Sequence, residues 1–280
     1  MNDKCVKVAF QGERGAYSEE AIYSFFKSDV EVMPYATLAE TFEAVTKKKA
    51  DFAVVPVENS LEGSINETYD LLLSSNLKIQ AEIDLRIKHS LIARPEIKKK
   101  NIRSVYSHPQ ALAQCRNYIR NLGAIPVATY DTAGSVRIVQ KEKSNNVAAI
   151  ASSKAASIYG MNVLDDGIED NPNNYTRFFS LSFGEKLPTG NDKTSIIFSA
   201  KDVPGALYGV LKEFSDKGIN LTKIESRPTR KKIWEYNFYL DFQGHKENDD
   251  CKEVLKFLRK KKMLIKILGS YPKFIRSMNS

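Results

Sequence analysis

The sequence predicts an α/β protein whose first two-thirds form two lobes around a cleft and whose remainder is a smaller α+β module. Three observations carry this. Short β-branched runs alternate with amphipathic helical stretches through the first 180 of the 280 residues, the pattern of α/β layers with a largely parallel sheet. A long extended stretch, 78–93, breaks the alternation, as a crossover pair linking two lobes would. A polar segment with Gly and Pro, GEKLPTGNDK at 184–193, interrupts the pattern and divides the chain into 1–183, a linker 184–193 and 194–280.

In order, strands are predicted at 6–10, 30–33, 52–55, 78–85, 90–93, 104–106, 125–128 and 147–151, with helices between most of them. Helix starts are signalled by Thr37 with Glu40 and Ser64 with Glu67, which fit capping boxes, and by Pro109, which fits the first helical position; Gly123 closes a helix. After the linker come a strand at 194–200, a helix at 205–217 ending at Gly218, strands at 219–225 and 234–242, a helix at 251–259 and a strand at 263–268. The order βαββαβ is that of a ferredoxin-like module.

Composition excludes several classes. Apolar residues are 42% and charged ones 27%, too apolar for disorder, and the longest apolar runs, 52–57 and 147–153, fall short of the ~18 residues of a membrane helix. The first ten residues set Asp3, Lys4 and Lys7 around a short strand, with no signal-peptide core, so a cytoplasmic location is expected. The net charge of +8 resides wholly in 251–280, which hold nine basic residues and one acidic; the first 250 are neutral. A nucleic-acid binder spreads basic surface over a domain, so Arg259, Lys260, Lys261 and Lys262 read as a solvated helix end and no nucleic-acid partner is expected. Cys5, Cys115 and Cys251 are too far apart for a metal site or a disulfide framework and are expected to be buried small hydrophobes.

Four polar turns stand at the ends of predicted strands, where open α/β sheets bind ligands. They are QGERGAYS at 11–18, PVENSLEGS at 56–64, SHPQALAQ at 107–114 and DNPNNYTRF at 170–178. The glycines of the first let backbone approach a ligand. The second brings Glu58 and Asn59 to a strand end. The third offers a helix N-terminus to an anion, with Gln110 and Gln114 on one helix face. The fourth carries Arg177. His89, His108 and His245 lack metal-site spacing, and no Walker lysine, GxGxxG or GxSxG occurs. The site reads as hydroxyls, amides and helix ends, suited to holding a small anion with neither metal nor cofactor.

The motifs Gly12-Glu13-Arg14-Gly15-Ala16-Tyr17-Ser18, Val55-Pro56-Val57-Glu58-Asn59-Ser60, Ser107-His108-Pro109-Gln110, Asp131-Thr132-Ala133 and Asn174-Tyr175-Thr176-Arg177-Phe178 occur in an order and spacing that resembles the prephenate dehydratases. Gly205-Ala206-Leu207 and Glu225-Ser226-Arg227-Pro228 resemble the two signatures by which that family's ACT domain holds phenylalanine. The resemblance implies a catalytic domain of two lobes like those of a periplasmic binding protein, followed by the ferredoxin-like ACT domain. It implies conversion of prephenate to phenylpyruvate without a cofactor. Thr176 would assist the leaving hydroxyl; Asn59, Ser60, Ser107, Gln110, Gln114, Thr132, Arg177 and Phe178 would bind substrate. Phenylalanine would bind at Gly205, Ala206, Leu207, Asn220, Leu221, Glu225, Ser226 and Arg227, bordered by the turn from 202, and the ACT domain would pair subunits into a homodimer or homotetramer. Asp131 stands where relatives more often carry Ser or Asn, which makes Thr132 the better contact. With the first strand starting at Val6, a monofunctional enzyme is expected. Two rivals are an arogenate dehydratase and a non-catalytic amino-acid sensor; the second has no use for Thr176 together with Asn59 and Ser107.

Overall fold

In the computed structural model, which describes residues 5–26, 29–200, 203–229, 236–261 and 263–274, the first sheet grows from β1 (Val6–Gln11), whose Val8, Ala9 and Phe10 are fully buried. Parallel neighbours flank it, β2 (Val30–Tyr35) and β3 (Phe52–Asn59), connected through α1 (Tyr17–Phe25) and α2 (Leu38–Thr46). α2 opens with the expected capping box: Glu40 N–H donates to Thr37 Oγ1 and Thr37 N–H to Glu40 Oε2, both at 3.1 Å. The second expected helix start is displaced. Ser64 lies on the two-residue strand β4 (Gly63–Ser64), folded back against Glu58, and α3 (Asn66–Ser74) starts two residues later.

β5 (Lys78–Arg86) belongs to this first sheet and β6 (Ser90–Ala93) to a second, so the extended stretch is a crossing between lobes as predicted. The second sheet adds β7 (Ser104–Ser107), β8 (Ile125–Ala128), β9 (Val147–Ala151) and β10 (Asn162–Asp166), in the order β10-β6-β9-β7-β8. Along β9, Ala148 and Ile150 join one core cluster while Val147, Ala149 and Ala151 join another, which is why the strand reads as an unbroken apolar run. Helices α4 (Pro109–Gln114), α5 (Arg116–Leu122), α6 (Thr132–Lys141) and α7 (Ser153–Ile158) cover it. Pro109 and Gly123 hold the expected positions, but the stretch between them breaks at Cys115 into two helices.

The chain returns across 167–174 into β11 (Tyr175–Ser182), giving the first sheet the order β2-β1-β3-β11-β5. The predicted turn at 170–178 is therefore corrected: Thr176, Arg177 and Phe178 sit on an interior strand. The strand escaped notice because its buried positions include polar residues, Thr176 and Ser180, which hide the period of two.

By internal packing the chain divides into two compact units, one made of the chain up to Thr68 with Ile83–Phe178, the other of Tyr69–Glu82 with the chain from Phe179 on. In the second, β12 (Asp192–Ser199), α8 (Ala206–Asp216), β13 (Leu221–Pro228), β14 (Tyr236–Gln243), α9 (Asp249–Lys260) and β15 (Ile265–Pro272) follow the predicted βαββαβ order. Their antiparallel sheet runs β13-β14-β12-β15. Ile196, Phe198, Leu240 and Phe242 face Val210, Phe214, Val254 and Leu258 of the helices. The sheet also carries side chains that engage the 69–82 segment: the Tyr69 and Tyr239 rings lie 4.7 Å apart, Tyr239 Oη donates to the Tyr69 carbonyl at 2.9 Å, and Lys193 Nζ donates to both oxygens of Glu82 at 2.7 and 2.8 Å.

Cys115 and Cys251 are buried as expected; Cys5 is exposed, at the very start of β1. α9 ends in Arg259 and Lys260, with Lys261 as C-cap. Asp3, Lys4, Asp202, Trp234 and Lys262 lie outside the described residues. Among the described residues no helix is long and apolar enough to cross a membrane.

Candidate active site

Four pieces of chain meet where the lobes are joined: the end of β3, the start of β11, the end of α4 and the crossing at 87–89. Asn59 is the fixed point. Its Oδ1 accepts the backbone N–H groups of Leu61 at 3.0 Å and Glu62 at 3.1 Å. Backbone N–H can only donate, so the amide cannot be flipped and Nδ2 must face the other way. There it donates to Asn174 Oδ1 at 2.8 Å and Thr176 Oγ1 at 3.0 Å. With its oxygen taken, Asn174 turns Nδ2 to Gln114 Oε1 at 3.0 Å. The same Gln114 oxygen lies 2.9 Å from His89 Nε2.

The consequence is a matched pair of donors. Thr176 Oγ1 already accepts, and its own O–H has no acceptor among the described residues; Gln114 Oε1 is doubly engaged, and its Nε2 has no partner among them. Asn59, Asn174 and Thr176 are buried and Gln114 is half-buried, so the two donors stand at the margin of a buried polar network, where an acceptor from ligand or solvent can meet them. His89 is buried too, its pKa lowered first by burial, against smaller upward contributions from the Gln114 hydrogen bond and Glu169. Glu169, from the second crossing, accepts the His89 backbone N–H at 2.9 Å. Tyr17 Oη lies 2.7 Å from His89 Nδ1 and 2.9 Å from the Lys88 carbonyl, and burial raises its pKa well above the phenolic value.

Not every residue named from the sequence joins this cluster. Ser107, at the end of β7, is fully buried and donates to the Ile150 carbonyl at 2.6 Å. Ser60 Oγ bridges Asn173 and Tyr175 through two bonds of 2.9 Å, tying the β3 end to the β11 start. Gln110 N–H is taken by His108 Nδ1 at 3.2 Å, which caps the six-residue α4 and leaves its first turn less open to an anion than expected. Asp131 caps α6 through Gly134 N–H at 2.5 Å, with Thr132 the first helical residue. Arg177 follows Thr176 on β11, and successive strand residues point to opposite faces; its Nη2 is 3.3 Å from Glu58. Phe178 is buried among Val8, Phe10, Ile22 and Val54.

The first polar turn serves closeness of a different kind. Gly15 has φ +88°, and a Cβ on it would lie 2.6 Å from Ala155 Cα, so its backbone closely approaches the other lobe. Ser152 Oγ donates to the Gly15 carbonyl at 2.7 Å, and Arg137 meets Glu13 at 2.9 Å. Asn174, His89, Tyr17 and Glu169 join the cluster although the sequence marks none of them as a substrate contact. Asn174 and Tyr17 stand inside quoted motifs, whereas His89 and Glu169 are placed by the crossings, which no local pattern reveals.

In the second unit, Gly205 has φ +79° and stands as N-cap of α8, followed by Ala206 and Leu207. Leu207 and Leu221 pack half-buried against the core, and the Asn220 carbonyl accepts Gln243 N–H at 2.9 Å. On the edge strand β13, Glu225 is 3.1 Å from Lys223, Ser226 is exposed and Arg227 is 3.2 Å from Asp70.

Such a fold and donor set define a two-lobed α/β protein suited to a small polar ligand, followed in sequence by a βαββαβ module. The family model for prephenate dehydratase matches residues 8–186, and that for the ACT domain matches 194–259. The chain belongs to the prephenate dehydratase family and carries an ACT domain. Prephenate dehydratase of Methanocaldococcus jannaschii is 43% identical over 268 residues, covering 93% of this chain and 96% of that one. Arogenate dehydratase/prephenate dehydratase 2 of Arabidopsis thaliana is 43% identical over 282 residues, 97% of this chain and 74% of its own. Among solved structures, the prephenate dehydratase of Arthrobacter aurescens in complex with L-Phe superposes with a TM-score of 0.88 at 32% identity, over 96% and 90% of the two chains. GqqA, described as a quorum-quenching acylase, does so with 0.89 at 32% identity, over 96% and 98%.

Proposed function

We propose that the chain converts prephenate to phenylpyruvate, carbon dioxide and water, and that Thr176 assists the departing hydroxyl. The observation that carries this is the Asn59–Thr176 hydrogen bond of 3.0 Å, which occupies the threonine oxygen and reserves its proton for donation. In the reaction the bond from the ring to its carboxylate breaks, the electron pair moves through the ring, and the C4–O bond breaks as the ring becomes aromatic. The departing oxygen gathers negative charge and needs a proton. A hydrogen bond from Thr176 is strongest as that charge grows, the condition for stabilising the transition state over the ground state. Threonine is too weak an acid to surrender its proton outright, so water completes the transfer. The Gln114 amide donates to a substrate oxygen; Gln110 and Thr132 line the approach from the second lobe, and Ser107, buried behind them, holds the β7 end through Ile150. Arg177, close to Glu58, steadies the β3 end that carries Asn59.

The Arabidopsis relative supports a second reading, arogenate as substrate, since the leaving groups are the same and only the side chain differs. Assays of purified protein with prephenate and with arogenate, following phenylpyruvate and phenylalanine, separate the two. No turnover of either would overturn the dehydratase reading.

Phenylalanine, in this proposal, binds between the Gly205 turn and β13, and two ACT domains associate along the exposed β13 edge into a dimer or tetramer. An open sheet edge favours such pairing. Ultracentrifugation and calorimetry with phenylalanine on the full chain test this; a monomer without binding heat would refute it.

A further inference from the structure

We infer that His89 is a positioning residue: as the neutral imidazole with its proton on Nε2, it pins the oxygen end of the Gln114 amide and so fixes that side chain as a donor to substrate. The orientation follows from the fixed end of the network. Asn59 is set by two backbone donors, Asn174 must accept from it, and Gln114 must accept from Asn174. His89 Nε2 faces that same Gln114 oxygen at 2.9 Å and is left only the donor's part. In the neutral ring Nδ1 is then bare and can only accept, so the single Tyr17 hydroxyl proton is shared between it at 2.7 Å and the Lys88 carbonyl at 2.9 Å. Burial favours the neutral ring.

Both ring nitrogens are engaged by protein groups, which leaves neither for substrate; the residue therefore acts through Gln114. Its own place is set from both crossings, since it lies on the first and its backbone N–H is held by Glu169 of the second. Without the Nε2 donor, only Asn174 would oppose rotation of the Gln114 amide, and a rotated amide would turn its oxygen toward an anionic substrate.

The kinetic arm of the test rests on the dehydratase reading, which wild-type turnover of prephenate checks separately; the spectroscopic arm does not. His89→Leu removes the donor, while His89→Gln sets an amide N–H near the place of Nε2. The expected result is a loss of about tenfold or more in kcat/KM for Leu, with KM raised, and recovery of most of it by Gln. A folded Leu variant within twofold of wild type, or a Gln variant no better than Leu, overturns the proposal. Should the Leu variant fail to fold, ¹⁵N spectra of the wild-type imidazoles, assigned by the signal lost in His89→Gln, decide it. The expected pattern at neutral pH is Nε2 protonated and Nδ1 bare, and the opposite tautomer overturns it.

Discussion

Gly15 and Ala155 meet across the two lobes so closely that a methyl group on the glycine would lie 2.6 Å from the alanine Cα. Gly15→Ala adds that methyl at a left-handed backbone position and should destabilise the first unit by about 2 kcal/mol or more, from backbone strain and overpacking together. Thermal unfolding and kcat/KM should both fall. An unchanged midpoint would show that the lobes can part there without cost.

Thr176→Ala should lower kcat about 100-fold, roughly 3 kcal/mol of transition-state stabilisation, with circular dichroism unchanged. Thr176→Ser keeps the hydroxyl and should lose much less. An alanine variant within a few-fold of wild type would remove Thr176 from the reaction.

His89 gives stability a pH dependence of definite sign. Its folded-state pKa lies below the ordinary value of about 6.5, lowered chiefly by burial. Between those two values the unfolded chain binds more protons than the native one, so this group's contribution is intact above about pH 7 and falls away as pH drops through the window. Denaturant unfolding at pH 7 and pH 5 should show a smaller loss in His89→Gln than in wild type. Equal losses would mean that the ring takes up its proton freely in the folded protein.

The donors gathered at the site are amides and hydroxyls, and among the described residues no three His, Cys, Asp or Glu side chains converge as metal ligands do. Activity should therefore survive exhaustive dialysis against EDTA. A loss that magnesium or zinc restores would count against the proposed chemistry.

The Lys193–Glu82 pair is nearly sequestered, its side chains 10% and 3% exposed, with Phe274 N–H adding a bond of 3.0 Å to Glu82. Lys193→Ala strips a buried carboxylate of that counter-charge and should cost about 3–5 kcal/mol, while Lys193→Met with Glu82→Leu should recover most of it. Unfolding of the two single variants and the double variant gives the coupling; additive losses would show that the two side chains do not act as a pair.

The order of elements was legible because most strands are short apolar runs bounded by turn residues, as in β9, and because caps such as Thr37 and Glu40 mark their helices locally. β11 was misread as a turn. Its pairing is with distant strands, and its buried Thr176 is met by Asn59 from β3, neither of which the local pattern announces. The candidate site was half legible for the same reason. Asn59, Thr176 and Gln114 were found through their motifs, but the order of donation among them depends on Asn174 and His89, which come together only after the chain has crossed between lobes twice. Phe178 and Ser60 stand in the same motifs, one packed in the core and the other anchoring the chain, and a motif does not distinguish such duties from ligand contact.

Tyr69–Glu82 precedes the ACT domain by more than a hundred residues of chain yet packs into one unit with it. Exchanging this module between relatives at the linker would therefore transplant a sheet without the segment that fits it. Tyr239, Lys193 and Arg227 would arrive facing a foreign Tyr69, Glu82 and Asp70. In evolutionary terms the inheritable block is discontinuous: β13 and β14 are expected to change in concert with α3 and β5, and a chimaera that carries 69–82 along with its own C-terminal module should fold where a simple splice fails.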